Sequence, residues 1–210
     1  MKWYFYVALI SALVSVSVFV YRLIYLISLG LPKDLSQEIG SVKKGIIYSF
    51  TGAMSPKAKE SAYLHLPTYA AGLLYHAGIF STLLFFVWVL FSVFTNITTP
   101  SFVVSILTVI LSITSLAGFS ILVKRVISAE LRYLSCADDY ISNFISSFSQ
   151  VATILYLNTA FESIYFITIA LLFLWMPFGK TKHLLYFFFA RIHLGFFYGR
   201  RNAWPTVHKS

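Results

Sequence analysis

Thiol chemistry is nearly absent from this 210-residue chain, whose one cysteine is Cys136. A single cysteine excludes an internal disulfide, a cysteine-ligated iron–sulfur cluster and a C-x-x-C-H attachment site for c-type haem. Charge is also scarce. Charged residues make up 11% of the chain, against about 25% in soluble domains. Acids are rarest, with 7 Asp and Glu against 16 Lys and Arg. No nucleotide-binding motif, internal repeat or low-complexity stretch is present. Without a metal–sulfur or nucleotide site the chain is not a complete enzyme by itself.

Apolar side chains fill the space that charge leaves. They make up 59% of the residues, and aromatics alone reach 19%, with 21 Phe and 14 Tyr. Several apolar runs of 18 or more residues place the chain in the membrane class. Its formal net charge of +9 in a soluble protein would raise the question of nucleic acid. Here the bases lie between apolar runs, so membrane topology explains them and no nucleic-acid partner is expected.

Five runs are read as transmembrane helices, at about 3–31, 67–94, 102–123, 140–158 and 161–178. The first is too long for a signal-peptide core of ~7–15 residues, and no clear small-x-small cleavage site follows it. Residues 32–64 are polar and read as a loop, with a short surface helix as the alternative. "TNITTP" (95–100) is a turn. The fourth run is the weakest, because Ser, Asn and Gln interrupt it; such side chains suit a helix packed on other helices. Residues 179–210 form a basic tail without an acid. The turns near 95–101 and 158–160 contain no Lys or Arg, whereas 32–64, 124–139 and the tail are rich in them. The positive-inside rule then places the N-terminus outside and the C-terminus in the cytoplasm. The expected fold is an all-α membrane protein, a single five-transmembrane-helix bundle over residues 1–210.

Histidine is the residue type here with chemistry to offer. His76 lies in the apolar stretch "LLYHAGIF", where an imidazole needs a partner. Counting ~20 residues back from the outer turn puts it near the cytoplasmic edge of the hydrocarbon. His183 follows the fifth run and falls at the same edge. Two histidines at equal depth on antiparallel helices meet the requirement for bis-histidine haem, one imidazole on each axial face of the iron. Interfacial, hydrogen-bonded histidines are the plainer alternative. His65 and His193 lie about three turns from His76 and His183 on nearly the same faces. They are candidates for a second haem ~15 Å further in, or else surface residues, and Pro67 argues against a straight helix there. His208 reads as solvated.

Four segments, in order and at suitable spacing, carry a family resemblance across about residues 68–205: "GLLYHAGIF", "LVKRVISAELRYLSCADDY", "LFLWMPFGKTKHLL" and "FFYGRRNAWP". The sequence resembles the cytochrome b (gamma) subunit of respiratory nitrate reductase. It is more similar still to the related membrane subunits that sulfate reducers and some archaea couple to heterodisulfide-reductase-like iron–sulfur proteins. The resemblance implies that His76 and His183 ligate an inner b haem. It implies quinol oxidation in the prokaryotic cytoplasmic membrane, with menaquinol as the expected quinol. It also implies a cytoplasmic iron–sulfur partner, heterodisulfide-reductase-like or nitrate-reductase-beta-like. The chain departs from the family where the outer haem would be ligated, at Phe86 and Tyr165, so one haem is expected rather than two.

Glu162 and Tyr165, at the outer end of the fifth run, are candidates for a quinone or proton site; an interfacial acid touching water is the alternative for Glu162. Arg22, Lys124, Arg125, Lys180 and Lys182 are candidate partners for anionic haem propionates, with snorkelling the alternative for Arg22. The tail's Arg191, Arg200 and Arg201 suit anionic lipid or a docked partner. The alternatives to a haem subunit are a haem-free membrane anchor of the same fold and an unrelated transporter or assembly factor. Against a transporter, no helices are broken at corresponding places in two halves.

Overall fold

The chain is seen here as a computed structural model that describes residues 2–30, 35–58, 60–159 and 161–205. It is all-helical, 84% helix, with no strand among the described residues. The helices are α1 (Trp3–Ser28), α2 (Val42–Phe50), α3 (Glu60–Leu64), α4 (Leu66–Thr95), α5 (Ser101–Ile127), α6 (Ala129–Tyr133), α7 (Ala137–Thr159), α8 (Glu162–Trp175) and α9 (His183–Arg200).

Three of them, α1, α4 and α5, are long and apolar enough to cross a membrane, and a fourth span results if Glu162–Trp175 and Lys180–Arg200 count as one broken helix. The expected fifth run stops early for a local reason. Pro177 has no N–H to continue the helical ladder, and α8 ends at Trp175 with Met176 as its helical C-cap. Its 14 residues rise only ~21 Å, short of the ~30 Å hydrocarbon core. The turn that follows is closed by the N–H groups of Phe178 and Gly179 on the Trp175 carbonyl, at 3.0 and 2.8 Å. Gly179 lies against the Trp175 indole where a Cβ has no room. α7 is long enough to span but carries Asp138, Asp139 and a polar face, and does not qualify by composition.

The described residues fall into two compact units. The first holds residues 1–17 and 67–181, with α4 to α8. Its inner packing buries many small and polar residues beside apolar ones such as Leu111, Ile169 and Leu172. α7 buries Ser142, Ser146, Ser149, Gln150 and Thr153. Gly78 of α4 touches the Gln150 amide and the Thr114 hydroxyl with no space for a side chain. Small residues of this kind let helix backbones approach closely in a membrane. At one end of the unit an aromatic cluster closes the core: Tyr156 stacks on Tyr165 at 4.5 Å, and Phe85 and Phe166 meet the same rings edge-on. The α4–α5 turn is tied by Trp88 Nε1 donating to Thr99 Oγ1 at 2.9 Å, and Asn96 takes its positive φ of 56°.

The second unit holds residues 18–66 and 182–210. The stretch expected as a loop contains α2, and the basic tail contains α9; these two helices pack on each other through glycine. A Cβ on Gly199 would stand 2.8 Å from the Ser41 carbonyl oxygen and 2.9 Å from Gly45 Cα, and one on Gly45 would strike the Gly195 carbonyl. Ser49 Oγ donates to the Arg191 carbonyl at 2.8 Å. The N–H groups of Ile39 and Gly40 close the other end on the Arg200 carbonyl, at 3.1 and 3.0 Å. Glycine is a poor helix former, yet the spacing Ser41, Gly45, Ser49 against Gly195, Gly199 gives one smooth face to each helix.

Candidate functional site

His76 sits on α4 with its ring exposed, beside Leu73 and Phe80 on the face turned away from α5 and α7. Its Nδ1 lies 2.6 Å from the Gly72 carbonyl. A carbonyl only accepts, so Nδ1 carries the hydrogen. A histidine that ligates a metal is commonly oriented this way. Its neighbour Tyr75 turns inward, within hydrogen-bonding reach of Ser146 and Ser147. His183 is the first residue of α9 and is exposed. His76 belongs to the first unit and His183 to the second.

The His193 ring is engaged locally. His193 is half-buried; its Nδ1 donates to the Phe189 carbonyl at 2.9 Å, and its ring lies 4.1 Å from the Phe189 ring. His65 is exposed in the turn after α3, its N–H on the Ala62 carbonyl at 3.3 Å. None of these contacts joins His65 to His193. His208 lies outside the described residues. Among the described residues no three His, Cys, Asp or Glu side chains converge as a metal centre.

The basic candidates have distinct surroundings. Arg22 is half-buried on α1. Lys124 Nζ donates to Thr68 Oγ1 at 2.6 Å, joining the end of α5 to the start of α4. Arg125 and Lys180 converge on Asp139, with Nη1 and Nζ at 3.4 and 2.6 Å from its carboxylate. Arg125 Nη1 also donates to Ser135 Oγ at 2.8 Å, while its Nε is buried without a partner. Lys182 is exposed before α9.

Asp139 is the hub of this cluster and went unnoticed in the sequence. It sits in the first turn of α7, just before the apolar stretch 140–158. Its carboxylate accepts the Cys136 backbone N–H at 3.0 Å and the thiol at 3.4 Å, the reciprocal arm of a helix capping box. Burial pushes its pKa up, but the hydrogen bonds from Lys180 and Cys136 and the Arg125 charge outweigh this and hold it at about 2. Asp138 follows the same balance in the same direction: burial raises it, and the Ser142 hydroxyl and Lys180 N–H lower it further. Lys180 is raised by its bond to Asp139. Trp175 Nε1 donates to Ser142 Oγ at 2.8 Å, and Ser142 Oγ to Asp138 at 2.6 Å. The end of α8 is thereby fastened to the start of α7.

At the far end of the unit, Glu162 accepts the Tyr4 hydroxyl at 2.6 Å and pairs with Lys2 at 3.2 Å. Tyr165 is fully buried in the aromatic cluster, its hydroxyl without a partner. Phe86 is equally buried, packed on Phe173 at 5.1 Å. Comparison with known proteins finds no matching family model, no matching curated protein and no matching solved structure.

Proposed function

We propose that the chain is a membrane cytochrome b subunit of the prokaryotic cytoplasmic membrane. In this reading five segments span the bilayer, α7 and the α8 region with the three long apolar helices. The N-terminus is outside, and the basic segments and the C-terminus are cytoplasmic. His76 and His183 hold one b haem, which when bound exchanges single electrons. Electrons pass between menaquinol and a cytoplasmic iron–sulfur subunit of a respiratory oxidoreductase complex.

One observation carries this reading. An imidazole stands on an apolar membrane helix, its Nδ1 hydrogen engaged by the Gly72 carbonyl at 2.6 Å, which fixes the ring's orientation. That donor chemistry fits an axial haem ligand. The four resembling segments and the excess of cations in 124–139 and the tail support the same reading. Lys124, Arg125 and Lys180 stand where the apolar helices of the first unit end, next to the stretch expected at the cytoplasmic face. Glu162 is the proposed proton acceptor for quinol. The Tyr4 hydroxyl and the Lys2 ammonium hold its carboxylate in place.

A reduced-minus-oxidised spectrum of the purified chain tests the proposal. A sharp α-band that is lost in both His76→Ala and His183→Ala supports it. A chain without the band is a haem-free anchor or an unrelated membrane protein.

A further inference from the structure

Two tyrosines and a tryptophan bridge the α2–α9 pair on one side, and neither haem nor quinone binding uses them. The N–H groups of Ala203 and Trp204 donate to the Tyr198 carbonyl at 2.9 and 3.3 Å, which folds the chain back beside α9. The Trp204 ring then lies 4.7 Å from Tyr198 of α9 and 5.5 Å from Tyr48 of α2. Packing between the helices explains the rings but not their polar tips. The Trp204 indole N–H and the Tyr198 hydroxyl have no hydrogen-bond partner among the described residues, and Tyr198 is exposed. Cations flank the rings. Lys44 precedes Tyr48 by four residues and so shares its face of α2. Arg201 follows Tyr198, its guanidinium 3.6 Å over the Phe197 ring. Membrane topology explains basic residues in this stretch, but not where they stand. Lys43 and Lys44 occupy the first turn of α2, which holds no acid, where the helix dipole disfavours cations. Across 36–56 and 182–205 there are six Lys and Arg against one acid, Glu38. Because Gly45 and Gly199 hold the pair in contact, the pattern of rings and charges is set before anything binds.

We propose that this side of the α2–α9 pair is a docking surface for anionic lipid. Trp204, Tyr48 and Tyr198 sit at headgroup depth, where an aromatic ring meets both hydrocarbon and water. Lys44 and Arg201 meet the lipid phosphates. The exposed Leu194, one turn before Tyr198 on α9, reaches the upper acyl chains. Lys43 lies roughly 140° round α2 from Tyr48, away from the rings, and contributes little, because the attraction fades beyond a Debye length. The proposal rests on the reading of the chain as spanning the bilayer, with 32–64 and the tail at the cytoplasmic face, whose leaflet is anionic.

The test uses the full chain in lipid nanodiscs, with Cys136→Ser and Ala203→Cys to carry a fluorophore beside Trp204. The discs are phosphatidylcholine, with or without phosphatidylglycerol, and contain lipid with a headgroup nitroxide that quenches the label on contact. Quenching should be at least 3-fold stronger in the anionic discs at low salt and fall to the neutral-disc level at high salt. A cation near an anionic surface strengthens attachment about 5-fold. Lys44→Gln should therefore raise the phosphatidylglycerol fraction needed for half-maximal quenching at least 2-fold. Lys43→Gln, the same chemistry in the same helical turn, should leave it unchanged; equal effects of the two overturn the assigned surface. Both changes relieve the same clash with the helix dipole, so neither should lower Tm, and misfolding does not account for a difference between them. A second label, on Leu84→Cys of the exposed face of α4, is read against an acyl-chain nitroxide and reports on the spans. If that label is quenched while the label at position 203 responds equally in the two discs, the lipid surface is overturned and the spans stand, which leaves the surface to a protein partner. An unquenched label at position 84 overturns both.

Discussion

Replacing Asp139 with Asn keeps the shape of the hub and removes its charge. The wild-type carboxylate takes a charge-assisted bond from Lys180 at 2.6 Å, lies 3.4 Å from Arg125, and accepts two donors from Cys136. A hydrogen bond to a charged group contributes about 1.5–3 kcal/mol. Lys180 is half exposed, so solvent screening takes its share to the low end. Arg125 is mostly buried with one nitrogen already unpaired, so losing its counter-charge adds to the cost. A net loss of about 2 kcal/mol follows, which for a chain of this size lowers Tm by roughly 4–8 °C. Thermal unfolding in detergent, followed by tryptophan fluorescence, measures it; Trp175 reports on the adjoining bonds. The pH dependence gives a second reading with a definite sign. The folded carboxyl, held at about 2 against an ordinary 3.8, stabilises the fold above pH ~4, and that stability is lost as pH falls through about 2. The gap between wild type and variant should therefore be flat near neutrality and vanish toward pH 2. A Tm change under 1 °C at pH 7, or a gap that widens in acid, refutes the reasoning.

The haem ligands give an all-or-none outcome: His76→Ala and His183→Ala each abolish the α-band, and a band that persists in both removes the assignment. Gly199→Val should cost about 1–3 kcal/mol or more by overpacking, since its Cβ meets the Ser41 carbonyl oxygen and Gly45 Cα below 3 Å; limited proteolysis between α2 and α3 should then become faster, and unchanged cleavage counts against the glycine contact. Glu162→Gln should leave Tm nearly unchanged, because exposed pairs such as Lys2–Glu162 contribute under about 1 kcal/mol. It should slow quinol-dependent haem reduction at least 10-fold, and a wild-type rate removes Glu162 from the proton step.

Long apolar runs were legible because nothing but a helix satisfies its backbone in hydrocarbon. The run expected at 67–94 is α4 at Leu66–Thr95. Ends were harder, because charge at a helix terminus looks like loop. α5 continues through Lys124 and Arg125, where cations favour a C-terminus, and α7 starts early at Asp138 and Asp139, where acids favour an N-terminus. The Cys136–Asp139 capping arm is written locally in "CADD", with the acid three residues after the cap. The α2–α9 pair was hidden for a different reason. Its helices carry too many glycines, lysines and arginines to look apolar, and their association depends on a long-range match of small residues.

That match has a consequence of its own. Where side chains form an interface they can repack by changing rotamer, and the partners can shift by fractions of a turn. Between Gly45 and Gly199 there are no rotamers to change. A slip of one residue would bring Ile46 or Tyr198 into a space that cannot hold a methyl group. The basic tail can therefore exchange many of its charges and aromatic rings, yet it can seat on α2 at one register only.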